Sequence, residues 1–165
     1  MKIIFDLDMD KCVACGACVI ACMDQNDTAP EKGDIPHRWV GTLEPSLGGG
    51  KFSYLSISCM HCTDAPCIPA CPVCCIKKDE NGLTVYDNTI CIGCRSCAMA
   101  CPYGAPHYGT DGRMNKCTGC AERIKFGFMP ACTRTCPTDA LICVSEEVYE
   151  SVKPNRSLRM LNKKV

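Results

Sequence analysis

Cys91-Ile-Gly-Cys94-Arg-Ser-Cys97-Ala-Met-Ala-Cys101-Pro102 spells C-x2-C-x2-C-x3-C-P, and the rest of the chain is organised as variations on it. Cys12, Cys15, Cys18 and Cys22 repeat the cysteine spacing without the proline. Cys59, Cys62, Cys67 and Cys71 stretch the middle gap, C-x2-C-x4-C-x3-C-P. Cys117, Cys120, Cys132 and Cys136 stretch it further, C-x2-C-x11-C-x3-C-P. Sixteen of the 19 cysteines thus fall into four groups of four. Thiolate is a soft ligand suited to iron–sulfur clusters or zinc. The unstretched run is a [4Fe–4S] spacing whose fourth cysteine serves the other cluster of a pair. The spacing therefore predicts four [4Fe–4S] clusters and a role in moving electrons.

Composition narrows the alternatives. A chain of 165 residues fits one compact domain or two small ones sharing an interface. Disulfides are not expected. The cysteine count is odd, the gaps of two and three residues are too short for usual partners, and Met1–Asp10 shows no apolar secretory segment. Cys12–Met23, the most apolar stretch, is too short to span a bilayer and is full of candidate ligands. A cytoplasmic location is expected, or export by association with a partner carrying the signal. The formal charge of +0 gives no bulk reason to bind nucleic acid or an acidic membrane. Four cubanes with their thiolates would add roughly −8 to that balance. Aromatics make up 6% of the chain, so folding energy should come from ligation, and the apoprotein should fold poorly.

Each run is expected to start in a loop and end in a short helix, because an x3 gap puts the last two cysteines about one turn apart. Pro72, Pro102 and Pro137 should stop that turn. The exits align as Cys71-Pro-Val-Cys-Cys-Ile, Cys101-Pro-Tyr-Gly-Ala-Pro and Cys136-Pro-Thr-Asp-Ala-Leu. Met23 follows Cys22 instead, and that helix should run on through Gln25. Strands are predicted at Lys2–Asp6, Arg38–Leu43, Phe52–Ser58, Leu83–Tyr86 and Leu141–Val144, with a hairpin turn at Asn81-Gly82. Asp27–Pro36 and Glu44–Lys51 read as loops, Glu146–Val152 as a short helix, and Lys153–Val165 as a basic tail or docking segment.

The most specific stretch is Lys116-Cys117-Thr-Gly-Cys120-Ala-Glu-Arg123-Ile124, followed by Gly127 and Pro130-Ala131-Cys132-Thr-Arg-Thr-Cys136-Pro137. Cys59-Met-His-Cys62-Thr-Asp-Ala-Pro66-Cys67 is nearly as specific. Through these motifs, residues 1–145 resemble the four-cluster electron-transfer subunits of the molybdenum and tungsten bis-pterin oxidoreductases, the dimethyl sulfoxide reductase family. The resemblance implies an α+β fold of two ferredoxin-like units, one nested within the other. The outer unit would hold residues 1–58 and 103–165, and the inner unit residues 59–102. It implies one cluster on Cys12, Cys15 and Cys18 with Cys136, and its mate on Cys117, Cys120 and Cys132 with Cys22. In the inner unit, Cys59, Cys62 and Cys67 would pair with Cys101, and Cys91, Cys94 and Cys97 with Cys71. Some relatives carry Trp and a three-iron cluster at the position of Cys94; the cysteine here implies four irons. The implied partner is a large pterin-bearing catalytic subunit, with a membrane anchor or soluble redox protein as a further partner. Related readings are a subunit of a hydrogenase or formate–hydrogen complex and a free polyferredoxin carrier. Structural zinc is the reading from a different class, and it usually uses separated C-x2-C pairs.

No nucleophile–base spacing, carboxylate pair or phosphate-binding glycine loop stands out, so catalysis is expected of the partner. Cys75 reads as a small buried hydrophobe, and Cys74 and Cys143 lie outside the ligand pattern. His61 is a candidate donor to a cluster or a packed imidazole. Lys11, Arg95, Lys116, Arg123 and Arg134 flank the runs, where they offset cluster charge or are solvated. Trp39 packs under the adjoining loop or faces a partner, and His37 and His107 carry no signal.

Overall fold

All four cysteine runs make the same backbone turn. The residue before the second cysteine is left-handed each time: Ala14 (φ 54°), His61 (47°), Gly93 (68°) and Gly119 (71°). This reversal lets two thiols three positions apart face one space, and it turns intervening N–H groups toward sulfur. Gly93 N–H donates to Cys91 Sγ at 3.5 Å, and Gly119 N–H to Cys117 Sγ at 3.3 Å. The proline exits repeat a second turn. Cys74, Gly104 and Asp139 are all left-handed, at 52°, 63° and 51°. Their N–H groups return to the carbonyls of Cys71, Cys101 and Cys136.

The computed structural model describes residues 2–44 and 52–152. In order these form β1 (Ile3–Leu7), α1 (Ala17–Gln25), β2 (Trp39–Leu43), β3 (Ser53–Ile57), β4 (Ile76–Lys78), β5 (Thr84–Tyr86) and α2 (Ser96–Ala100). Then come β6 (His107–Tyr108), β7 (Met114–Asn115), α3 (Ala121–Lys125), α4 (Ala131–Arg134), β8 (Leu141–Ser145) and α5 (Glu146–Val152). The strands form four antiparallel pairs: β1–β8, β2–β3, β4–β5 and β6–β7. The five predicted strands appear within a residue or so of their expected bounds. Three others, β4, β6 and β7, are two or three residues long, too short to show a period.

Helix lengths follow the prolines. Nothing interrupts α1, and it runs nine residues, to Gln25 as expected. Cys101 precedes Pro102 and is extended (φ −84°, ψ 116°), which ends α2. The second run departs from expectation: Ala65–Cys71 makes successive turns and no helix. Pro69 sits inside that x3 gap and has no N–H to donate. The expected loop at 44–51 lies outside the described residues beyond Glu44, and so does the tail 153–165.

β1 and β8 pair from Ile3↔Ser145 to Leu7↔Leu141, which joins the two ends of the described chain. One core gathers around them: Leu7, Cys18, Cys132, Ala140 and Leu141, with Val40 and Leu55 against it. A second holds Cys67, Cys71, Cys75, Ile76, Cys97 and Met114. The β6–β7 hairpin belongs to this second core through Met114 and Tyr108. Cys75 is 3% exposed and Ala140 is 1% exposed, so two of the three aligned exits bury equivalent small residues, while Ala105 in the third is half-buried. His37 and His107 close a gap of 70 residues with Nδ1 3.0 Å from Nε2. Burial and the His107 ring lower His37 to about 4, so it is neutral near pH 7. Trp39 is 50% exposed, and its ring lies over Gly41, where a Cβ would meet it at 2.4 Å.

A Gly93→Ala substitution would strain a left-handed residue and drive a Cβ to 2.7 Å from the Gly112 carbonyl. We expect a loss of about 1–3 kcal/mol, read as a lower Tm of the anaerobic holoprotein. Gly127→Ala, where a Cβ meets nothing within 4 Å, should cost less.

Candidate metal centres

Cys12, Cys15 and Cys18 share the wall of one cleft with Cys136, which lies 118 residues beyond Cys18. The other walls are largely apolar, with Leu7, Val40 and Leu141, and the open space is about 330 Å³. α1 carries Cys18, and the turn after α4 carries Cys136. Leu141 N–H donates to Cys136 Sγ at 3.4 Å. Burial raises the Cys136 pKa, but the Leu141 and Thr138 bonds outweigh it and the net shift is downward.

Cys22 shares a second cleft with Cys117, Cys120 and Cys132. α1 and α4 pack together, which brings Cys22 opposite Cys132. Burial, with the adjacent Cys117 and Cys132, pushes Cys22 up to about 12. Burial pushes Cys132 up to about 11, against the opposing pull of Arg38. These thiols resist ionising together. A cation-rich centre among them would reverse that balance. Cys143 feels the same neighbourhood: burial, with Cys132 and Cys120, pushes it up to about 12.

The second core holds Cys67, Cys71 and Cys97 of the remaining runs, with Cys91 against it. Cys62 and Cys67 lie within electrostatic reach of Cys101, and Cys59 within reach of Cys117 and, more weakly, of Cys67. Cys71 is buried beside Cys97 in the second core, Cys91 packs against that core, and Cys94 feels Cys71. Met114 N–H reaches Cys91 Sγ at 3.4 Å, and the Tyr108 hydroxyl lies 3.2 Å from Cys97 Sγ. Cys75 does more than fill space. Its N–H donates to Cys71 Sγ at 3.3 Å, and its own Sγ is 3.4 Å from that sulfur. Cys15 and Cys94 are exposed, at the rims of their groups.

A tetrahedral zinc ion needs four sulfurs at about 2.3 Å from one point. In the two outer clefts the thiols surround open space instead. Among the described residues no three Cys, His, Asp or Glu side chains are close enough to hold a single ion. All nineteen cysteines are free of disulfides.

Residues 51–146 match the family of the 4Fe-4S dicluster domain. The B subunit of the anaerobic dimethyl sulfoxide reductase of Escherichia coli K12 is 42% identical over 147 residues, 83% of this chain and 70% of that one. The formate dehydrogenase iron-sulfur subunit of Wolinella succinogenes is 34% identical over 181 residues, 96% of this chain and 88% of that one. The thiosulfate reductase electron transfer subunit of Salmonella typhi is 36% identical over 136 residues, 81% and 71%. The protein belongs to the iron–sulfur electron-transfer subunits of the dimethyl sulfoxide reductase family. Its cofactors are four [4Fe–4S] clusters, and it relays electrons for a catalytic subunit.

The donor set of this subunit fits those cofactors. Soft thiols wall the clefts, and backbone N–H groups point at their sulfurs. Buried cations lie among them, and four-iron clusters are held by four thiolates each. Among the described residues no helix is long and apolar enough to cross a membrane.

The flanking cations divide between the two readings that the sequence left open. Lys11, Arg95 and Arg134 are exposed. Arg123 is spent on the Met129 carbonyl and Gln25. Lys116 is different: it is 0% exposed. Its ammonium donates to the carbonyls of Thr84 and Cys117 and lies 5.5 Å from the Tyr86 ring centre. Lys78 was not anticipated, yet it donates to the carbonyls of His61, Cys62 and Gly82 and to Thr84 Oγ1. His61 joins the two groups of sites. Its Nδ1 accepts Thr84 N–H at 3.0 Å, so the proton sits on Nε2, 3.7 Å from Cys117 Sγ. Burial, then Lys116 and Lys78, hold the imidazole well below its usual pKa and therefore neutral. His61 is thus both backbone-bonded and a donor to a thiol from another run. Arg38 was also missed; its guanidinium is buried at the wall of the Cys22 cleft.

Replacing Lys116 by Met would leave two buried carbonyls without their donor. We expect about 1–3 kcal/mol for each, read as a fall in Tm of the holoprotein. Lys11→Met, on an exposed side chain, should change Tm little.

Proposed function

We propose that the chain holds its clusters by exchanging fourth ligands between runs. Cys12, Cys15, Cys18 and Cys136 would bind one, and Cys117, Cys120, Cys132 and Cys22 its mate. Cys59, Cys62, Cys67 and Cys101 would bind the third, and Cys91, Cys94, Cys97 and Cys71 the fourth. The observation that carries this reading is the composition of the two outer clefts, each walled by three cysteines of one run and the last of another. The reading also makes the fold two ferredoxin-like units. Residues 59–102 form a unit nested within one made of 1–58 and 103–165. The β1–β8 pairing supports that division, whereas the β6–β7 hairpin, on the outer side of it in sequence, packs on the second core through Met114 and Tyr108.

Bound clusters supply one-electron redox centres. The chain's own residues hold them, exclude water with apolar walls, and set buried positive charge near them. The electrons serve a large catalytic subunit that carries molybdenum or tungsten on a bis-pterin cofactor. That assignment rests on relatives named as subunits of dimethyl sulfoxide, thiosulfate and arsenate reductases and formate dehydrogenase. A membrane anchor or soluble redox protein takes the other end of the relay. Asp27–Lys51 and Glu146–Val165 are the docking segments; Ile35, Trp39 and Leu43 in the first are about half exposed. The compartment is the cytoplasm, or that of a partner bearing an export signal.

Two measurements test this function. The anaerobically purified chain should hold close to 16 iron and 16 acid-labile sulfide, from four four-iron clusters; zinc without sulfide would refute it. Purified from its host, it should come with a pterin-containing subunit and should turn nothing over without it. Isolation as a free carrier serving several enzymes would count against that partnership.

The ligand exchange has its own test. Cys136→Ser and Cys12→Ser should perturb the same cluster by electron paramagnetic resonance, and Cys22→Ser should perturb that of Cys120→Ser. If Cys136→Ser and Cys12→Ser alter different clusters, the proposed pairing is wrong.

A further inference from the structure

We propose that Arg38 and Ser56 form a cationic bridge between the two outer cluster sites and raise the reduction potentials of both. The inference rests on the ligand sets proposed above and adds to them a pair of residues that bind no iron.

Arg38 immediately precedes β2, and it is only 3% exposed. Its Nη1 donates to Ser56 Oγ at 2.9 Å and to the Ser56 carbonyl at 3.3 Å. Its Nη2 donates to Ser58 Oγ at 2.7 Å. These bonds staple the start of β2 to β3. They leave Nε, which is buried and has no hydrogen-bond partner among the described residues. A buried N–H with nothing to bond is costly and rare in folded proteins. Arg38 contributes to the wall of the Cys22, Cys117, Cys120 and Cys132 cleft. A cluster sulfur there gives Nε–H an acceptor, and a charge-assisted one.

The other end of the bridge is Ser56. Its Oγ accepts from Arg38, so its own proton is free to go elsewhere. Cys18 Sγ lies 3.2 Å away, and Cys18 walls the first cleft. One guanidinium therefore touches the second cleft directly and the first through a hydroxyl. The charges around it agree with this placement. Burial disfavours the guanidinium's charge, but Cys132, Cys117, Cys18 and Cys22 together outweigh burial and favour it. Those four sulfurs come from both outer sets.

The sign follows from electrostatics. Reduction adds a negative charge to a cluster. A fixed cation in a weakly polarisable interior favours the reduced form, and so does an N–H or O–H aimed at sulfur. The two contacts differ in kind, so the two clusters should respond differently to each residue.

The test is a potentiometric titration of the anaerobic holoprotein, followed by electron paramagnetic resonance. Cys15→Ser and Cys120→Ser assign the two outer signals. Ser56→Ala should lower the reduction equilibrium of the Cys12–Cys136 cluster severalfold and leave that of the Cys22–Cys120 cluster in place. Arg38→Gln should lower both, the Cys22–Cys120 cluster by tenfold or more; tenfold is 59 mV for a one-electron couple. Arg38→Lys keeps the charge and should recover part of the loss. The inner clusters should not move in any variant. If Arg38→Gln fails to retain 16 iron, Ser56→Ala and Arg38→Lys decide the matter. A lower Tm with unchanged outer potentials would overturn the bridge and leave Arg38 as a staple between strands. Failure of the ligand sets themselves would show separately, as Cys136→Ser and Cys12→Ser altering different outer signals in the otherwise wild-type chain.

Discussion

Like charge confined to a small volume is the constraint that the rest of the molecule answers. Sixteen candidate thiolate ligands lie in a chain with few large side chains, and where they cluster they oppose one another's ionisation. Burial deepens the problem, because a thiolate without water needs a cation or a donor close by. The structure meets the need at several levels. Left-handed turns aim N–H groups at sulfur. Lys116 and Arg38 place full positive charge inside the fold. The cysteines then serve as much of the core itself, so what holds the charge also holds the structure together.

Much of this was legible from spacing alone. Four runs with recurring gaps announced four equivalent turns, and the three proline exits aligned residue for residue with the left-handed Cys74, Gly104 and Asp139. β-Branched and aromatic stretches located the longer strands. The helix missing from the second run was legible too, since Pro69 stands inside the gap where an N–H was needed, but the general rule for the run overrode it. The two-residue strands β6 and β7 left no trace, because a period cannot be read from one repeat.

The supporting cations were legible only in part: Lys116, beside Cys117, is buried, whereas Arg38 carried no signal. Residues beside a run in sequence, such as Lys11 and Arg134, point to solvent. The buried ones reach their partners across the fold: Arg38 to Ser56 and Ser58, Lys116 to Thr84, His61 to Thr84 and Cys117. Such contacts depend on how strands and turns come together, and a single basic residue in a strand carries no pattern of its own. His61 shows the same limit. Its position inside a run suggested a nearby cluster, but its ring is turned toward a thiol 56 positions away.

The pairing of β1 with β8 has a consequence for biosynthesis. A ribosome releases the chain from its amino end, and Cys101 emerges well before Cys132 and Cys136. With the ligand sets proposed above, the inner ones would be complete while the outer ones still lack members. Under that pairing Cys12, Cys15 and Cys18 would wait for Cys136 until β8 emerges and closes on β1. Loading of the proposed outer sets would then follow loading of the inner ones, and it would depend on an intact β8.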